Sequence, residues 1–325
     1  MKKPILTIVV PCYNEEEVLE ETIHRLNAVL RNACRKGLAS SESTVLYVDD
    51  GSSDATWTLI DNNVLLHPTV TGLKLSRNFG HQNALLAGME TARRYSDCVV
   101  TIDADLQDDE KVIEKFLIKY NEGFDIVYGV RDGRTSDTFF KRRTALAFYQ
   151  LMELLGVSMI PNHADFRLLS RRALAALSNY KEKNIFLRGI VPLLGFREAK
   201  VYYDRSERQA GISKYPLHKM LSFAFDGITS FSLAPIRLLT LFGAAILVVG
   251  VAAGIYALVQ YFLGNAVLGW TSIILSIWVL GGIQLMAIGL IGEYIGKIFK
   301  ETKGRPRYVI EEKSLHASRL SSTHL

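Results

Sequence analysis

Two carboxylates two residues apart, Asp103 and Asp105, close the apolar run VVTIDADLQDD at 99–109, and Asp108 and Asp109 follow them. A short apolar run without polar alternation reads as a buried parallel strand. Ligands of open α/β sheets gather beyond the carboxyl ends of such strands. On extended chain, side chains at i and i+2 point the same way, so Asp103 and Asp105 can face one hard cation. Magnesium or manganese takes oxygen ligands, and magnesium commonly combines one or two carboxylates with substrate phosphates. The chemistry this pair offers is a metal clamp on a nucleotide diphosphate. The plainer alternative is a strand ending in an acidic turn, where Asp is common.

The elements around this pair alternate. A strand is expected at 5–10, stopped by Pro11, followed by a helix to about Lys36 with Glu15, Glu16 and Glu17 in its first turn. A second strand at 44–48 ends in Asp49-Asp50-Gly51-Ser52-Ser53-Asp54, where Gly51 permits a tight turn and Ser53 or Asp54 can cap the next helix. A third strand at 70–75 leads through Ser76-Arg77-Asn78-Phe79-Gly80-His81 into a helix to about Tyr95. After the Asp103 strand come a helix at 111–121 and a strand at 125–130. The alternation predicts an α/β domain with a largely parallel sheet, Rossmann-like in plan. Only the tail after Arg307 reads as loose.

Composition bounds the rest. The chain has 325 residues, 49% of them hydrophobic, with a net charge of +5. No Lys/Arg block resembles a nucleic-acid footprint. Three cysteines, Cys12, Cys34 and Cys98, show neither metal nor disulfide spacing and fit a reducing compartment. The apolar stretch near the N-terminus is short for a signal peptide and runs into Pro11 and acids, so it is read as the first strand.

Residues 238–292 contain no Asp, Glu, Lys or Arg. Segments 238–263 and 268–292 are each long enough, at ~1.5 Å per residue, to cross a ~30 Å hydrocarbon core. Arg237 precedes the first; Lys297, Lys300, Lys303, Arg305 and Arg307 follow the second. The positive-inside rule puts both ends in the cytoplasm, which makes a hairpin at the inner (plasma) membrane with the α/β domain on the cytoplasmic side. Small residues from Gly243 to Gly254 allow close helix contact within the hairpin or between copies, so a homo-oligomer is expected. Stretches 138–156 and 214–230 mix basic and greasy residues and read as interfacial amphipathic helices. The domain plan is therefore 1–212 catalytic, 213–236 juxtamembrane, 237–296 transmembrane and 297–325 a basic cytosolic tail.

Three loops leave strand ends on one edge: 11–15, 49–54 and 103–109. They carry acids and amides, with neither a G-x-x-x-x-G-K-[ST] nor a G-x-G-x-x-G cradle. An acidic site that handles phosphates needs a cation, which returns the argument to Asp103 and Asp105.

PCYNEE, VDDGSSDAT, SRNFGHQNAL, DADLQD, ADFRLLSRR and RQAGISKY, in that order and followed by two apolar segments, resemble the family 2 glycosyltransferases of GT-A fold. The polyprenyl-phosphate branch, which includes bactoprenol glucosyltransferases and dolichol-phosphate mannose synthase, is the most similar. The resemblance runs from residue 5 to about 307. It implies that Pro11, Tyr13, Glu15 and Asp50, with Asp49 a further candidate, line the base and ribose pocket. It implies Asp103 and Asp105 as ligands of Mg2+ or Mn2+, and Gln107 beside the diphosphate. Asp165 would lie near the sugar as the catalytic carboxylate. Arg208, Ser213 and Lys214 would close over the diphosphate, and Arg131 and Arg134 would hold the acceptor phosphate. The implied reaction is inverting transfer of a hexose, glucose from UDP-glucose as first choice, to a polyprenyl phosphate such as undecaprenyl phosphate. Mannose, N-acetylhexosamine and amino-arabinose are alternatives. A flippase and a second glycosyltransferase would act downstream in modifying a cell-surface polymer.

Two rivals stand beside this. A processive polysaccharide synthase of the same fold would carry more spans and a Q-x-x-R-W motif; Arg208-Gln209-Ala210-Gly211 stands in that region instead. A non-catalytic scaffold that binds nucleotide sugars would not need Asp103, Asp105 and Asp165 together. Asp54 reads as a helix cap, His81 and His163 as packing residues more readily than substrate ligands, Arg142 and Arg143 as headgroup contacts, and Arg171 and Arg172 as the start of a helix.

Overall fold

The computed structural model describes residues 3–105, 107–131, 163–183, 185–204, 234–263 and 269–315. The chain divides into two units, one holding the sheet and the other, 215–304 with 151–157, holding the apolar helices.

In the first unit the described strands form one eight-stranded sheet: β1 (Leu6–Cys12), β2 (Thr44–Asp49), β3 (Val70–Leu75), β4 (Cys98–Thr101), β5 (Ile126–Arg131), β6 (His163–Ser170), β7 (Glu198–Tyr203) and β8 (Ile310–Ser314). Their spatial order is β7-β5-β6-β4-β1-β2-β3-β8. β3, β2, β1 and β4 run parallel, as does β5 with β7, while β6 and β8 are antiparallel to their neighbours. Every residue of β1, β2 and β4 is buried, the signature of parallel strands covered on both faces. Helices α1 (Leu19–Arg35), α2 (Thr56–Leu66), α3 (His81–Ala92), α4 (Val112–Asn121), α5 (Arg171–Leu177) and α6 (Leu187–Leu193) connect them.

Close packing of α3 on the sheet depends on Gly88. A Cβ there would stand 2.4 Å from Val9 Cγ1 and 2.9 Å from Val48 Cγ2, so no larger residue fits.

Several expectations are adjusted. β1 does not stop at Pro11; it runs to Cys12, with Pro11 paired to Val48. On the other side β1 loses β4 after Val9, so the missing proline N–H breaks no ladder there. α1 begins at Leu19 rather than at the Glu15 cluster, because Asn14, Glu15 and Glu16 bond to the β2–α2 loop. The tail is not loose throughout: β8 extends the sheet beyond β3, and Ser314 Oγ donates to Asp61. Its sequence, IEEKS, lacks an apolar run because an edge strand is bonded on one side only.

The second unit holds α7 (Ala234–Phe262) and α8 (Trp270–Thr302). Among the described residues one helical stretch, Val279–Thr302, is long and apolar enough to cross a membrane; Leu239–Ala252 is a shorter apolar helical stretch. The chain re-enters the first unit at Arg305. The expected interfacial segments, 138–156 and 214–230, lie outside the described residues.

Candidate active site

The carboxyl ends of β1, β2, β4, β5 and β7 and the beginning of β6 share one edge. Register places Cys12 beside Asp49, Thr101 beside Arg167, and Arg131 beside Tyr203. Asp165, two residues before Arg167, therefore lies alongside Asp103, two residues past Thr101.

Pro11, Tyr13, Glu15, Asp49 and Asp50 gather at the ends of β1 and β2. Tyr13 is 47% exposed, whereas Asp49 and Asp50 are buried. Asp50 accepts from the N–H of Phe79 at 2.8 Å and of Gly80 at 2.9 Å, and so fixes the loop that leads into α3. Burial raises both carboxyls above the usual range, against the lowering effect of these N–H donors on Asp50 and of Ser52 on Asp49. The turn between the two loops requires Gly51: its φ is +68°, and a Cβ would meet the Arg77 backbone at 2.4 Å. Asp54 accepts from the N–H of Thr56 and of Glu16, which is the structural role expected of it, although Ala55 takes the cap position itself.

The acidic loop after β4 is held at its far end. Asp108 is buried and accepts from Arg131 Nε at 3.2 Å, Arg131 Nη2 at 3.0 Å and Tyr203 Oη at 2.6 Å. Glu110 takes Arg25 with both oxygens, at 3.1 and 2.5 Å. Asp103 is 34% exposed and 3.5 Å from His81 Nε2. Burial, against the lowering effect of His81, and the charges of Asp165, Asp108 and Asp105 push its carboxyl up to about 6. Asp105 accepts from the Gln107 N–H at 3.2 Å. Gln107 Oε1 is buried without a hydrogen-bond partner among the described residues. Among the described residues no group of three or more His, Cys, Asp or Glu side chains could hold a metal alone. Crowded carboxylates beside an orphaned buried oxygen do fit a divalent cation completed by substrate phosphates.

Asp165 forms the second centre. It is buried, and Thr101 Oγ1 donates to its carbonyl oxygen. Its Oδ1 takes Arg167 Nη2 and Arg188 Nε (3.3 Å); its Oδ2 takes Arg188 Nη2 (2.9 Å) and Gln82 Nε2 (3.4 Å), with His81 Nε2 at 3.6 Å. Burial works to raise this carboxyl, but His81, Arg167 and Arg188 together hold it well below the usual range. Burial works to lower His81, and Asp165 and Asp103 raise it on balance.

The structure thus brings Asp103, Asp105, Gln107, Asp165 and Arg131 to one edge with the β1–β2 loops. Arg134, Arg208, Ser213 and Lys214 lie outside the described residues, as do the side chain of His163 and Arg142 and Arg143. Arg171 and Arg172 open α5 as expected. Sequence reading did not single out Gln82, Arg167, Tyr203 or Arg188, and it read His81 as a packing residue, whose Nε2 the structure places 3.5 Å from Asp103 and 3.6 Å from Asp165. Arg188 carried one signal: a lone cation in the apolar run IFLRGIV.

Comparison with known proteins gives this geometry its family. Residues 7–178, more than half of the chain, match the model of glycosyl transferase family 2, and residues 234–298 match the GtrB C-terminal hairpin. A protein of Bacillus subtilis (strain 168) named uncharacterized glycosyltransferase YkoT is 58% identical over 309 residues, 95% of this chain and 92% of that one. The bactoprenol glucosyl transferase of Shigella phage SfX is 37% identical over 313 residues, 95% of this chain and 99% of that one. Among solved structures, the mannosyltransferase PcManGT of Pyrobaculum calidifontis, in complex with GDP-Man and Mn2+, is similar over 91% of this chain and 88% of that one, at 17% identity and a TM-score of 0.45. With its mostly parallel GT-A-like sheet and acid-lined carboxyl edge, the chain belongs to glycosyl transferase family 2 and is a glycosyltransferase.

Proposed function

We propose that this glycosyltransferase moves glucose from UDP-glucose to a polyprenyl phosphate, undecaprenyl phosphate being the expected carrier, with inversion at the anomeric carbon. The observation that carries the reading is that Asp103, close to the charges of Asp105 and of the cation-rimmed Asp165, shares one sheet edge with a buried Gln107 oxygen that has no partner among the described residues. The similarity to the phage bactoprenol glucosyl transferase along nearly the whole of both chains supports the carrier and the sugar.

Asp103 and Asp105 would hold Mg2+ or Mn2+, which when bound supplies positive charge to the departing diphosphate. Tyr13, Pro11 and Glu15, with Asp49 and Asp50 bracing the floor, would receive the base and ribose. Gln107 would meet the diphosphate. Arg131, with Arg134, would hold the acceptor phosphate, and Arg208, Ser213 and Lys214 would close over the reacting groups.

A lipid phosphate monoester has a second pKa near ~6 and is largely dianionic at neutral pH. Its oxygen attacks the anomeric carbon as the bond from that carbon to the diphosphate oxygen breaks. No proton has to leave the nucleophile, so the reaction asks little of a general base. Asp165 suits this: a carboxylate saturated by donors and held in a low range orients cations better than it accepts a proton.

The apolar helices would form a two-span anchor at the plasma membrane, with the α/β domain on the cytoplasmic side where nucleotide sugars and the phosphate end of the lipid meet. A homo-oligomer, a downstream flippase and a second glycosyltransferase belong to the same reading.

The test is incubation of the full chain in detergent with UDP-glucose, undecaprenyl phosphate and Mn2+ or Mg2+, scored by the mass of the lipid product and the anomeric configuration of its sugar. GDP-mannose, UDP-N-acetylglucosamine and a UDP-linked amino-arabinose run in parallel. Mass gain of one hexose in a β-linkage supports the reading; absence of a glycolipid with every donor overturns it.

A further inference from the structure

Arg188 stands out because two contacts fix the residue before it and a third holds one edge of its own side chain, leaving the other edge open. Gln82 Oε1 accepts from the Leu187 N–H at 3.1 Å, and Arg167 Nη1 donates to the Leu187 carbonyl at 3.2 Å. The residue before Arg188 is thus gripped from α3 on one side and from β6 on the other. The Arg188 side chain then lies edge-on against Asp165 through Nε and Nη2. Its Nη1 has no hydrogen-bond partner among the described residues, and the side chain is 36% exposed.

Asp165 brings one negative charge, and Arg167, fully buried against it, brings one positive charge. A buried arginine is tolerated only when paired, so this pair is internally closed. Arg188 is the partly open cation of the cluster, with Asp103 and Arg131 close enough to act on its charge. A guanidinium that spends one edge on a carboxylate and presents the other is suited to a second planar or tetrahedral oxyanion.

We propose that Arg188 is a substrate-contacting residue whose free edge binds a phosphate oxygen at the sheet edge that also carries Asp103 and Arg131, with Asp165, Arg167 and Gln82 as the residues that position it. The phosphate is that of the leaving nucleoside diphosphate or that of the lipid acceptor. This rests on the glycosyl-transfer reading above.

The full chain in detergent is compared with Arg188→Ala and Arg188→Lys. Titrations use UDP and UMP with Mn2+, kinetics vary undecaprenyl phosphate, and thermal unfolding checks that each variant is folded. Arg188→Ala is expected to lower kcat/KM about 100-fold, with Arg188→Lys recovering only part of it. Added guanidinium should restore activity to the alanine variant, which a merely structural role would not allow. Loss of UDP affinity with UMP affinity unchanged assigns the diphosphate; a raised KM for the lipid phosphate alone assigns the acceptor. If Arg188→Ala transfers glucose at the parent kcat/KM, or loses activity that guanidinium does not restore, the inference falls while the transferase reading stands. If the parent chain itself makes no glycolipid and binds neither UDP nor the lipid phosphate, both fall.

Discussion

Tyr203 donates its hydroxyl hydrogen to Asp108 Oδ1 at 2.6 Å, and the same oxygen receives both Nε and Nη2 of Arg131. The last residues of two neighbouring parallel strands, β5 and β7, are tied in this way to the loop that carries Asp103 and Asp105. Burial first, then the charge of Asp108 and the hydrogen bond to it, pushes the Tyr203 hydroxyl far above its ordinary range, so it stays a donor at every working pH.

Tyr203→Phe removes that donor and leaves Asp108 paired with Arg131 alone. A hydrogen bond to a buried charge contributes about 1.5–3 kcal/mol, so thermal unfolding should shift down measurably. Arg131 loses its fixed aim, so the KM for undecaprenyl phosphate should rise several-fold while the KM for UDP-glucose stays put. An unchanged lipid KM would separate this clasp from acceptor binding.

Asp103→Asn and Asp105→Asn should each reduce Mn2+-dependent UDP binding and lower transfer by about 100-fold or more, because a cation at a developing phosphate charge supplies several kcal/mol. EDTA should abolish transfer by the parent chain, and excess Mn2+ or Mg2+ should restore it. Full activity in EDTA would reject the acid pair as a metal site.

Gly51→Ala places a Cβ 2.4 Å from the Arg77 backbone at a φ of +68°. Such strain costs of order 1–3 kcal/mol. Since Asp50 beside it holds Phe79 and Gly80, the substitution should weaken UDP affinity as well as stability. Calorimetric titration and thermal unfolding of one preparation read both effects.

Asp125 gives a stability test away from the cleft. It is buried, accepts from Ser170 Oγ at 2.8 Å and pairs with Arg172. The Arg172 contact first, then Ser170 against the opposing effect of burial, lowers its carboxyl below the usual range. A carboxyl lowered in the folded state stabilises above its unfolded value and loses that contribution as pH falls through the folded one. At pH 7, Asp125→Ala should unfold about 2–4 °C below the parent, the equivalent of one hydrogen bond. The gap should narrow from about pH 4 downward. A gap independent of pH would show that packing, not charge, accounts for the loss.

The amino-acid sequence by itself determined the parallel half of the sheet, because β1, β2 and β4 are buried along their whole length and so read as largely apolar runs, with β3 buried at all but Lys74. It also showed the two acids at i and i+2 and the long uncharged C-terminal segments, but β4 ends at Thr101 and Asp105 stands in the following turn, so the acids do not sit on extended strand as expected. β6, β7 and β8 escaped it. β6 buries Asp165 and Arg167 in the middle of an apolar strand, which is stable only because those two meet each other and Arg188. β7 alternates polar and apolar residues, and β8 is an edge. Arg188, Gln82 and His81 joined the candidate site around Asp165 only in three dimensions. Gln82 is separated from Asp165 by 83 positions and from Leu187 by 105, and Arg188 from Asp165 by 23, and no local pattern encodes contacts that exist only once the sheet has brought those segments together.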